Sequence, residues 1–214
     1  SSKAISMLKN QLYDIRSGYS VSVKADGENA FLYFVNSSCY MINSRLKIKK
    51  VHIDEFKPSD GTIIQCEYIH YQNKNVFLAF DVLYHGGNSL LKKDYRQRYN
   101  TLQELLSIPN TRVNDYKKSW ETHIEFMKKL YSDKKNWYTT IKPVYFPSTN
   151  DQKQIYEIST YLLEEYKLKP KVYLQDGLIF TPYGEYKLNP LKYKPKNENS
   201  VDINTMLGNL RVDK

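Results

Sequence analysis

One lysine stands in a position where it could act as a nucleophile. Lys24 follows the alternating run YSVSV, which is typical of a half-buried strand, and precedes an Asp-Gly pair and the apolar run AFLYFV. The order strand, Asp-Gly, strand predicts a β-hairpin, and the ordinary interpretation is a solvated lysine at the edge of a tight turn. A nucleophilic lysine would need charged partners elsewhere in the chain.

Other charged side chains interrupt strand-like runs farther along. Glu67 lies in IIQCEYI, Asp81 lies in FLAFDVLY, and Asp176 opens DGLIF, a second Asp-Gly pair before an apolar run. Lys192 and Lys194 alternate in LKYKP, so both side chains are expected on one side of a strand. Each has an ordinary explanation: a paired carboxylate, a turn, or a basic edge strand that discourages aggregation. Their order and spacing together favour a shared site.

The elements that must position these residues form strand-rich and helix-rich blocks. Strand-like runs occur at CYMIN, GTIIQCEYIHY and NVFLAFDVLY, and again at WYTTIKPVYF, DGLIFTP, EYKL and PLKYKP. Helical spacing predicts helices over residues 94–107, with Asp94 as the N-cap, over 114–133 and over 149–168. Residues 1–15 are interpreted as a short amphipathic helix. Segregated antiparallel strands with packed helices predict an α+β domain.

Composition limits the class of protein. The chain has 214 residues, 41% of them hydrophobic, which is enough for a substantial core and argues against disorder. It contains neither an apolar run long enough to span a bilayer nor the apolar segment of a secretion signal. Cys39 and Cys66 lack metal-ligand spacing and are expected to be buried thiols in a reducing, intracellular compartment. The net charge of +9 favours a polyanionic partner such as nucleic acid or nucleotide phosphate.

The ordered set of motifs resembles the covalent nucleotidyltransferases, the family of mRNA-capping guanylyltransferases and ATP-dependent polynucleotide ligases. The lysine motif appears as KADGEN, followed in order by QCEYI, FDVLYHGG, DGLIF and LKYKP, and the resemblance covers residues 20–203. The ending DGLIFTPYGEYKLNPLKYKPKNENSVDI resembles capping enzymes rather than ligases, which usually carry a glutamate where Asp176 stands. We therefore predict the nucleotidyltransferase domain of an RNA-capping enzyme, of the type found in large DNA viruses such as poxviruses and asfarviruses.

The resemblance also implies how the chain is divided. Residues 1–203 would form the nucleotidyltransferase domain, and residues 204–214 a stub leading to an OB-fold that this chain lacks. The terminal RVDK imitates a basic motif that the family carries in its OB-fold. Too few residues separate Lys194 from it for such a domain, and we interpret it as a chance match.

The resemblance assigns the central roles as follows. Lys24 would attack the α-phosphate of GTP and form a covalent lysine–GMP phosphoramide. Lys192 and Lys194, brought beside it by folding, would favour the unprotonated amine and stabilise the phosphates. Phe80 resembles the aromatic side chain that stacks on the purine, and Glu67 the carboxylate that meets the ribose hydroxyls.

Further positions follow from the same resemblance. Asp176 resembles the carboxylate that binds a divalent cation, Mg²⁺ or Mn²⁺. Arg45 resembles an arginine that contacts sugar or phosphate, and Lys142 is placed near the guanine carbonyl or a phosphate. Gly27 is expected to allow the turn to approach the nucleotide. The remaining predicted nucleotide-binding residues are Val23 and Ala25, which flank the nucleophile, and Asn29. Asn29 stands at a position where most members of the family resembled have an arginine.

The implied partners are GTP and the 5′-diphosphate end of RNA, and no membrane is expected. The resemblance also implies RNA triphosphatase and cap methyltransferase activities on the same longer polypeptide or on a partner. A viral protein would act in the host cytoplasm at the virus factory, and could enter the virion; a cellular one would act in the nucleus. Two alternatives stay open. One is the adenylation domain of an ATP-dependent RNA or DNA ligase, and the other is a non-catalytic RNA-binding module that uses the +9 charge and the 20 tyrosines.

Overall fold

Two β-sheets and three α-helices make up the described part of the chain, which in the computed structural model comprises residues 5–6, 18–148, 151–186 and 190–194. The elements, in chain order, are β1 Ile5–Ser6, β2 Tyr19–Ala25, β3 Glu28–Val35, β4 Ser38–Asn43, β5 Ile48–Val51, β6 Thr62–Tyr71, β7 Lys74–His85, β8 Asn88–Ser89, α1 Tyr95–Leu105, α2 Tyr116–Tyr131, β9 Trp137–Ile141, α3 Gln152–Leu168, β10 Gln175–Pro182 and β11 Leu191–Tyr193.

The strands are distributed over two sheets. The four-stranded sheet has the order β1-β11-β10-β2, and the seven-stranded sheet has the order β5-β4-β3-β6-β7-β8 with β9 also paired to β7. Most neighbouring strands are antiparallel, whereas β1 pairs with β11, and β9 with β7, in parallel. The predicted α+β class is confirmed, with mixed rather than purely antiparallel sheets.

The described residues form two hydrophobic cores, and the first is shared by both sheets because it includes Val76 and Leu78 of β7. In the four-stranded sheet, buried side chains of β2 and β10 pack against α2 and α3, for example Val21 and Phe180 against Trp120 and Ile158. The seven-stranded sheet covers a second core with α1, which contributes Leu102. Burial of these apolar faces, at roughly 25 cal/mol per Å² removed from water, is the main force that holds each helix on its sheet.

The first helix begins where the sequence predicts. The Asp94 carboxylate accepts a hydrogen bond from the backbone N–H of Gln97, and the Gln97 side chain accepts one from the backbone N–H of Asp94, which completes a capping box. The helices predicted over 114–133 and 149–168 are also present, as α2 and α3. No helix in the described ranges is long and apolar enough to cross a membrane.

Three local predictions differ from the structure. Ile5–Ser6 forms a short strand instead of part of a helix, and the rest of that predicted helix lies outside the described residues. In the run EYKL, Glu185 and Tyr186 belong to a turn instead of a strand. The strands on either side of Asp26 and Gly27 do not pair with each other, because β2 pairs with β10 while β3 pairs with β4 and β6. The Asp-Gly pair therefore carries the chain from one sheet to the other and is not a hairpin turn.

The two cysteines are free and buried, as predicted. Burial raises the pKa of the Cys39 thiol to about 12 and also raises that of Cys66. At neutral pH both side chains are therefore protonated thiols that act as small apolar groups.

Candidate active site

Lys24 lies near the end of β2, one residue before the chain crosses between the sheets. Its Nζ donates a hydrogen bond to Asp176 Oδ1 at 2.8 Å, and 21% of its side chain is exposed. The crossing is tight at Gly27, where a Cβ atom would lie 2.3 Å from the carbonyl oxygen of Tyr68. The missing side chain of Gly27 thus lets the turn approach the backbone of β6, which fixes the end of β2 beside the seven-stranded sheet.

Asp176 is presented to Lys24 by an irregularity in β10. The register with β2 shifts between Gln175 and Leu178, and Gly177 has φ of +127°. A Cβ atom on Gly177 would lie 1.8 Å from the carbonyl oxygen of Tyr193, so only glycine fits there. Such a shift turns a side chain out of the regular alternation, and here it accompanies a carboxylate that faces the lysine.

The basic strand follows the predicted alternation. Leu191 and Tyr193 are buried in the first core, whereas Lys192 and Lys194 are partly exposed on the other side. Lys194 Nζ lies 3.8 Å from Asp176 Oδ2, the carboxylate oxygen that Lys24 does not contact. Partial burial lowers the pKa of Lys192, the positive charges of Lys194 and Lys24 lower it further, and Asp176 opposes them. One carboxylate therefore lies among three lysines.

A cavity of about 370 Å³ opens between the two sheets beside this cluster. Its wall brings together seven of the residues predicted from the sequence: Lys24, Ala25, Asn29, Glu67, Phe80, Lys142 and Lys192. A larger groove of about 780 Å³, between α1, α2 and β9, contains none of the predicted site residues. The residues predicted from the sequence therefore identify the smaller cavity as the candidate active site.

The wall formed by the seven-stranded sheet combines an aromatic ring with two buried charges. Lys142 Nζ lies 5.5 Å from the centre of the Phe80 ring, a cation–π distance. The pKa of Lys142 is lowered to about 8, because burial and the charge of Lys24 together outweigh the opposing charge of Glu67. Burial raises the pKa of Glu67, while Lys142, Lys24 and the Gly27 backbone oppose the rise.

Lys142 is held by a segment that joins the two sheets. Its backbone N–H donates to Ala79 O at 2.7 Å, and its carbonyl accepts a hydrogen bond from the Tyr99 hydroxyl at 2.7 Å. Three residues on, Tyr145 exchanges two backbone hydrogen bonds of 2.9 Å with Val21 of β2. The segment therefore places the ammonium of Lys142 at the boundary between the sheets.

A chain of amides and a hydroxyl crosses the cavity wall. Tyr186 donates to Gln65 Oε1 at 2.8 Å, and Gln65 Nε2 donates to Asn29 Oδ1 at 3.0 Å. Asn29 is thus fixed by a neighbour on β6. Gln65 and Tyr186 were not predicted, because polar residues in a strand or a turn carry no distinctive spacing.

A buried ion pair also lines the cavity, next to Phe80 in the sequence. The Arg98 guanidinium donates to both oxygens of Asp81, at 2.8 and 3.1 Å, and to the carbonyl groups of Lys93 and Gly184. Arg98 is 2% exposed. A role for Arg98 was not predicted, although its position on the apolar face of α1, three residues after Tyr95, is a signal for a buried arginine.

Four predicted residues do not line the cavity. Asp176 contacts Lys24 at its side, and Lys194 lies 3.8 Å from Asp176. Arg45 is exposed in the turn after β4, next to Ser44, which does line the cavity. The side chain of Val23 is buried in the first core, so that only its backbone could face a nucleotide.

Carboxylate oxygens are the candidate ligands for a divalent cation at this site. The described residues contain no group of three or more Asp, Glu, His or Cys side chains that could hold a metal ion. The side chain of Asp176 is 41% exposed. Mg²⁺ is commonly bound through one or two carboxylates together with substrate phosphates, and an accessible carboxylate beside Lys24 fits that pattern.

Solved structures define the class of fold. The chain is similar to a protein described as Pmar-Lig_PreS3, with 14% identity and a TM-score of 0.52 over 91% of this chain and 46% of that one. It is also similar to mycobacterial DNA ligase D complexed with ATP and MES, with 13% identity and a TM-score of 0.50 over 92% and 59% of the two chains. The chain therefore shares its fold with these two proteins.

The sequence identifies the family within this fold. Residues 1–196 match the family described as mRNA capping enzyme, catalytic domain, and the chain belongs to that family. It is also 26% identical, over 95% of its length, to a probable mRNA-capping enzyme of Acanthamoeba polyphaga mimivirus. The chain spans 20% of the length of that relative. The predicted family is confirmed.

Proposed function

We propose that the chain is an mRNA guanylyltransferase in which Lys24 carries GMP as a covalent intermediate. The observation that carries the proposal is the position of the Lys24 amine, at the cavity wall and 2.8 Å from a carboxylate, in a chain of the capping-enzyme family. Among the described residues, the other lysines of the cavity wall, Lys142 and Lys192, form no ion pair with a carboxylate.

In the first step, Lys24 Nζ attacks the α-phosphorus of GTP. A nitrogen–phosphorus bond forms, the bond from that phosphorus to the bridging oxygen of the β-phosphate breaks, and pyrophosphate leaves. The amine must lose a proton, and Asp176 Oδ1, already hydrogen-bonded to Nζ, is placed to accept it. In the second step, an oxygen of the 5′-diphosphate of RNA attacks the same phosphorus, so that an oxygen–phosphorus bond forms and the nitrogen–phosphorus bond breaks. The leaving lysine nitrogen takes back the proton held by Asp176.

The neighbouring lysines stabilise the charge that develops in both steps. Lys192 and Lys194 present two ammonium groups on the side of β11 that faces Asp176 and Lys24. Positive charge aimed at a reacting phosphate acts strongly because it is in place before the reaction. A bound Mg²⁺ or Mn²⁺, held by Asp176 and the substrate phosphates, would add further positive charge there.

The opposite wall binds the nucleoside. Phe80 stacks on the purine, Lys142 approaches the guanine carbonyl or a phosphate, and Glu67 meets the ribose hydroxyls. The hydrogen bond of the Tyr95 hydroxyl to the Phe80 carbonyl, 2.7 Å long, holds the backbone that carries the ring. Asn29, held by Gln65, replaces the charged contact of an arginine with a neutral one.

The wider setting of the reaction is part of the proposal. Because the relative is about five times as long as the matched region, we place this domain in a longer capping enzyme, with RNA triphosphatase and cap methyltransferase activities on the same polypeptide or on a partner. The viral origin of the relative favours a viral protein that acts in the host cytoplasm.

The proposal is tested by transfer of label from α-labelled GTP in the presence of Mg²⁺ or Mn²⁺. Wild-type protein should acquire label that survives denaturation and is lost in acid, as a phosphoramide would be. Lys24→Ala should abolish labelling, and so should Lys24→Arg, because a guanidinium stays protonated. Lys92→Ala, an exposed control, should label normally. Undiminished labelling of Lys24→Ala would refute the nucleophile, and preferential labelling by ATP would indicate a ligase.

A further inference from the structure

A basic and apolar strip lies on the surface beside the cavity. The strip is the run RLKIKK, residues 45–50, comprising the turn after β4 and most of β5, and every residue in it is exposed. Leu46 is 81% exposed and Ile48 is 68% exposed, while Lys47, Lys49 and Lys50 supply positive charge. Cations thus alternate with large apolar side chains along the strip.

The strip leads from the cavity to a groove. It begins next to Ser44, which lines the cavity, and β5 forms the edge of the seven-stranded sheet. At its other end, Lys49 and Lys50 line a groove of about 470 Å³ together with Lys134 and Trp137. Lys49 Nζ lies 5.1 Å from the centre of the partly exposed Trp137 ring, so the groove offers an aromatic face as well as charge.

The positive charge of the strip is not neutralised by the protein. The acidic side chains at this edge, Asp54 and Glu55, are both engaged by Lys135, at 3.3 and 3.1 Å. In the part of the chain that the structure describes, Lys47, Lys49 and Lys50 form no ion pair. Their charges are therefore available to a polyanion.

Protection of an edge strand against aggregation is the ordinary explanation for such lysines. That explanation does not account for Leu46 and Ile48, since exposed apolar side chains on an edge strand promote the contact that the lysines would prevent. Alternating cations and apolar surface, with an aromatic ring in a groove, are instead typical of surfaces that bind single-stranded nucleic acid through phosphates and stacked bases.

We propose that the strip and the groove bind the single-stranded segment of the acceptor RNA that follows its 5′ end. The strip begins at the cavity rim, so RNA lying on it has its 5′-diphosphate directed towards the lysine–GMP. This inference rests on the proposed guanylyltransferase function for the identity of the acceptor, whereas the binding of RNA to the strip can be measured without GTP.

The first test removes three charges, by Lys47→Ala, Lys49→Ala and Lys50→Ala together. The control removes three exposed lysines from the distant α3 region, by Lys153→Ala, Lys167→Ala and Lys169→Ala. Binding of a short oligouridylate with a 5′-diphosphate is followed by fluorescence anisotropy at several salt concentrations.

Each phosphate contact contributes about 0.7 to the slope of log affinity against log salt for a single strand, so the strip variant should lose about 2 from that slope. When the salt concentration is raised from about 50 to about 200 mM, the RNA affinity of the wild type should fall by a factor roughly twenty times larger than that of the strip variant. The control variant should keep the wild-type slope. Equal slopes in the strip variant and the wild type would overturn the proposal.

The second test uses the catalytic steps to separate this proposal from the proposed function. The strip variant should form lysine–GMP at the wild-type rate and transfer GMP normally to a nucleoside diphosphate, which is too short to reach the groove, but transfer poorly to the RNA. Equal loss with both acceptors would overturn the strip as an RNA-binding surface. A wild-type chain that binds the oligonucleotide through the strip but never labels Lys24 would refute the guanylyltransferase alone.

The third test reports on Trp137 directly. The chain has two tryptophans, and Trp120 is buried, so Trp120→Phe leaves Trp137 as the fluorescent reporter. The oligouridylate should quench this fluorescence, and the strip variant should require more RNA for the same quenching. An unchanged emission at saturating RNA, or binding of an acidic peptide in place of RNA, would overturn the proposal.

Discussion

Lys142 allows a prediction that connects stability with nucleotide binding. Its side chain is buried, with 5% of the residue exposed, and burial lowers its pKa from 10.5 to about 8. Between about pH 8 and pH 10.5, the unfolded chain keeps a proton on this lysine that the folded chain has released. The free energy of unfolding therefore rises with pH across this interval, because the unfolded state binds more protons.

The size of the effect follows from the two pKa values. Their difference corresponds to about 3 kcal/mol, the cost of holding the charged ammonium in the folded protein below pH 8. Lys142→Met removes that cost and should stabilise the protein at pH 7. The gain should be smaller than 3 kcal/mol, since the charge of Lys142 lowers the pKa of Glu67 and the variant loses this support for a buried carboxylate. The double variant with Glu67→Gln and Lys142→Met should recover the rest of that gain in the free energy of unfolding.

The measurement is urea unfolding of the wild type and the variant at a series of pH values from 7 to 10. The wild type should approach the stability of Lys142→Met as the pH rises, and comparison of the two removes the contribution of titrating groups that do not interact with Lys142. In parallel, GTP affinity of the wild type should decline above about pH 8, where the ammonium is lost, while the weaker affinity of the variant should not follow that decline. A constant difference in stability from pH 7 to 10 would refute the assignment of a buried, charged lysine.

Two further predictions concern residues that support the site. Arg98→Met should destabilise the protein by about 3–5 kcal/mol because it leaves the Asp81 carboxylate buried and unpaired. Burial already raises the Asp81 pKa, so the loss of unfolding free energy measured in urea should shrink as the pH falls and the carboxylate is protonated. A loss that does not depend on pH would contradict this. Gly177→Ala should lower the melting temperature and GMP labelling far more than Gly87→Ala. Both glycines have positive φ, but an added Cβ meets the Tyr193 carbonyl at Gly177 and nothing within 4 Å at Gly87, so equal losses would contradict the steric argument.

Local sequence signals predicted the helices well. The first helix begins at Asp94 because the capping box is formed by residues three positions apart, which the sequence displays directly. The alternation of LKYKP likewise placed Leu191 and Tyr193 in the core and the two lysines opposite them. Such features depend on residues close together in sequence, where spacing determines geometry.

Pairing between distant segments could not be predicted in the same way. The Asp-Gly pair after Lys24 has the sequence of a hairpin turn, yet the partner of β2 is β10, about 150 residues away in the chain. Arg98 of α1 reaches Asp81 on β7, and Gln65 of β6 reaches Asn29 on the neighbouring strand β3. The order of the motifs along the sequence predicted the main site residues, but the contacts between those residues arise from the packing of the two sheets.

The same packing sets the distance across which the proposed reaction occurs. Lys24 and Asp176 belong to the four-stranded sheet, whereas Phe80 and Glu67 belong to the seven-stranded sheet, so in the proposed binding mode a nucleotide would have its phosphate on one sheet and its base on the other. The turn at Gly27 joins the sheets at one end. Their separation is fixed a second time by the segment from residue 142 to 146, which hydrogen-bonds to β7 at its start and to β2 three residues later. Because proper alignment of nucleophile and phosphorus accounts for a large share of catalysis, the backbone of this segment would contribute to the proposed reaction by holding the two sheets at a fixed separation.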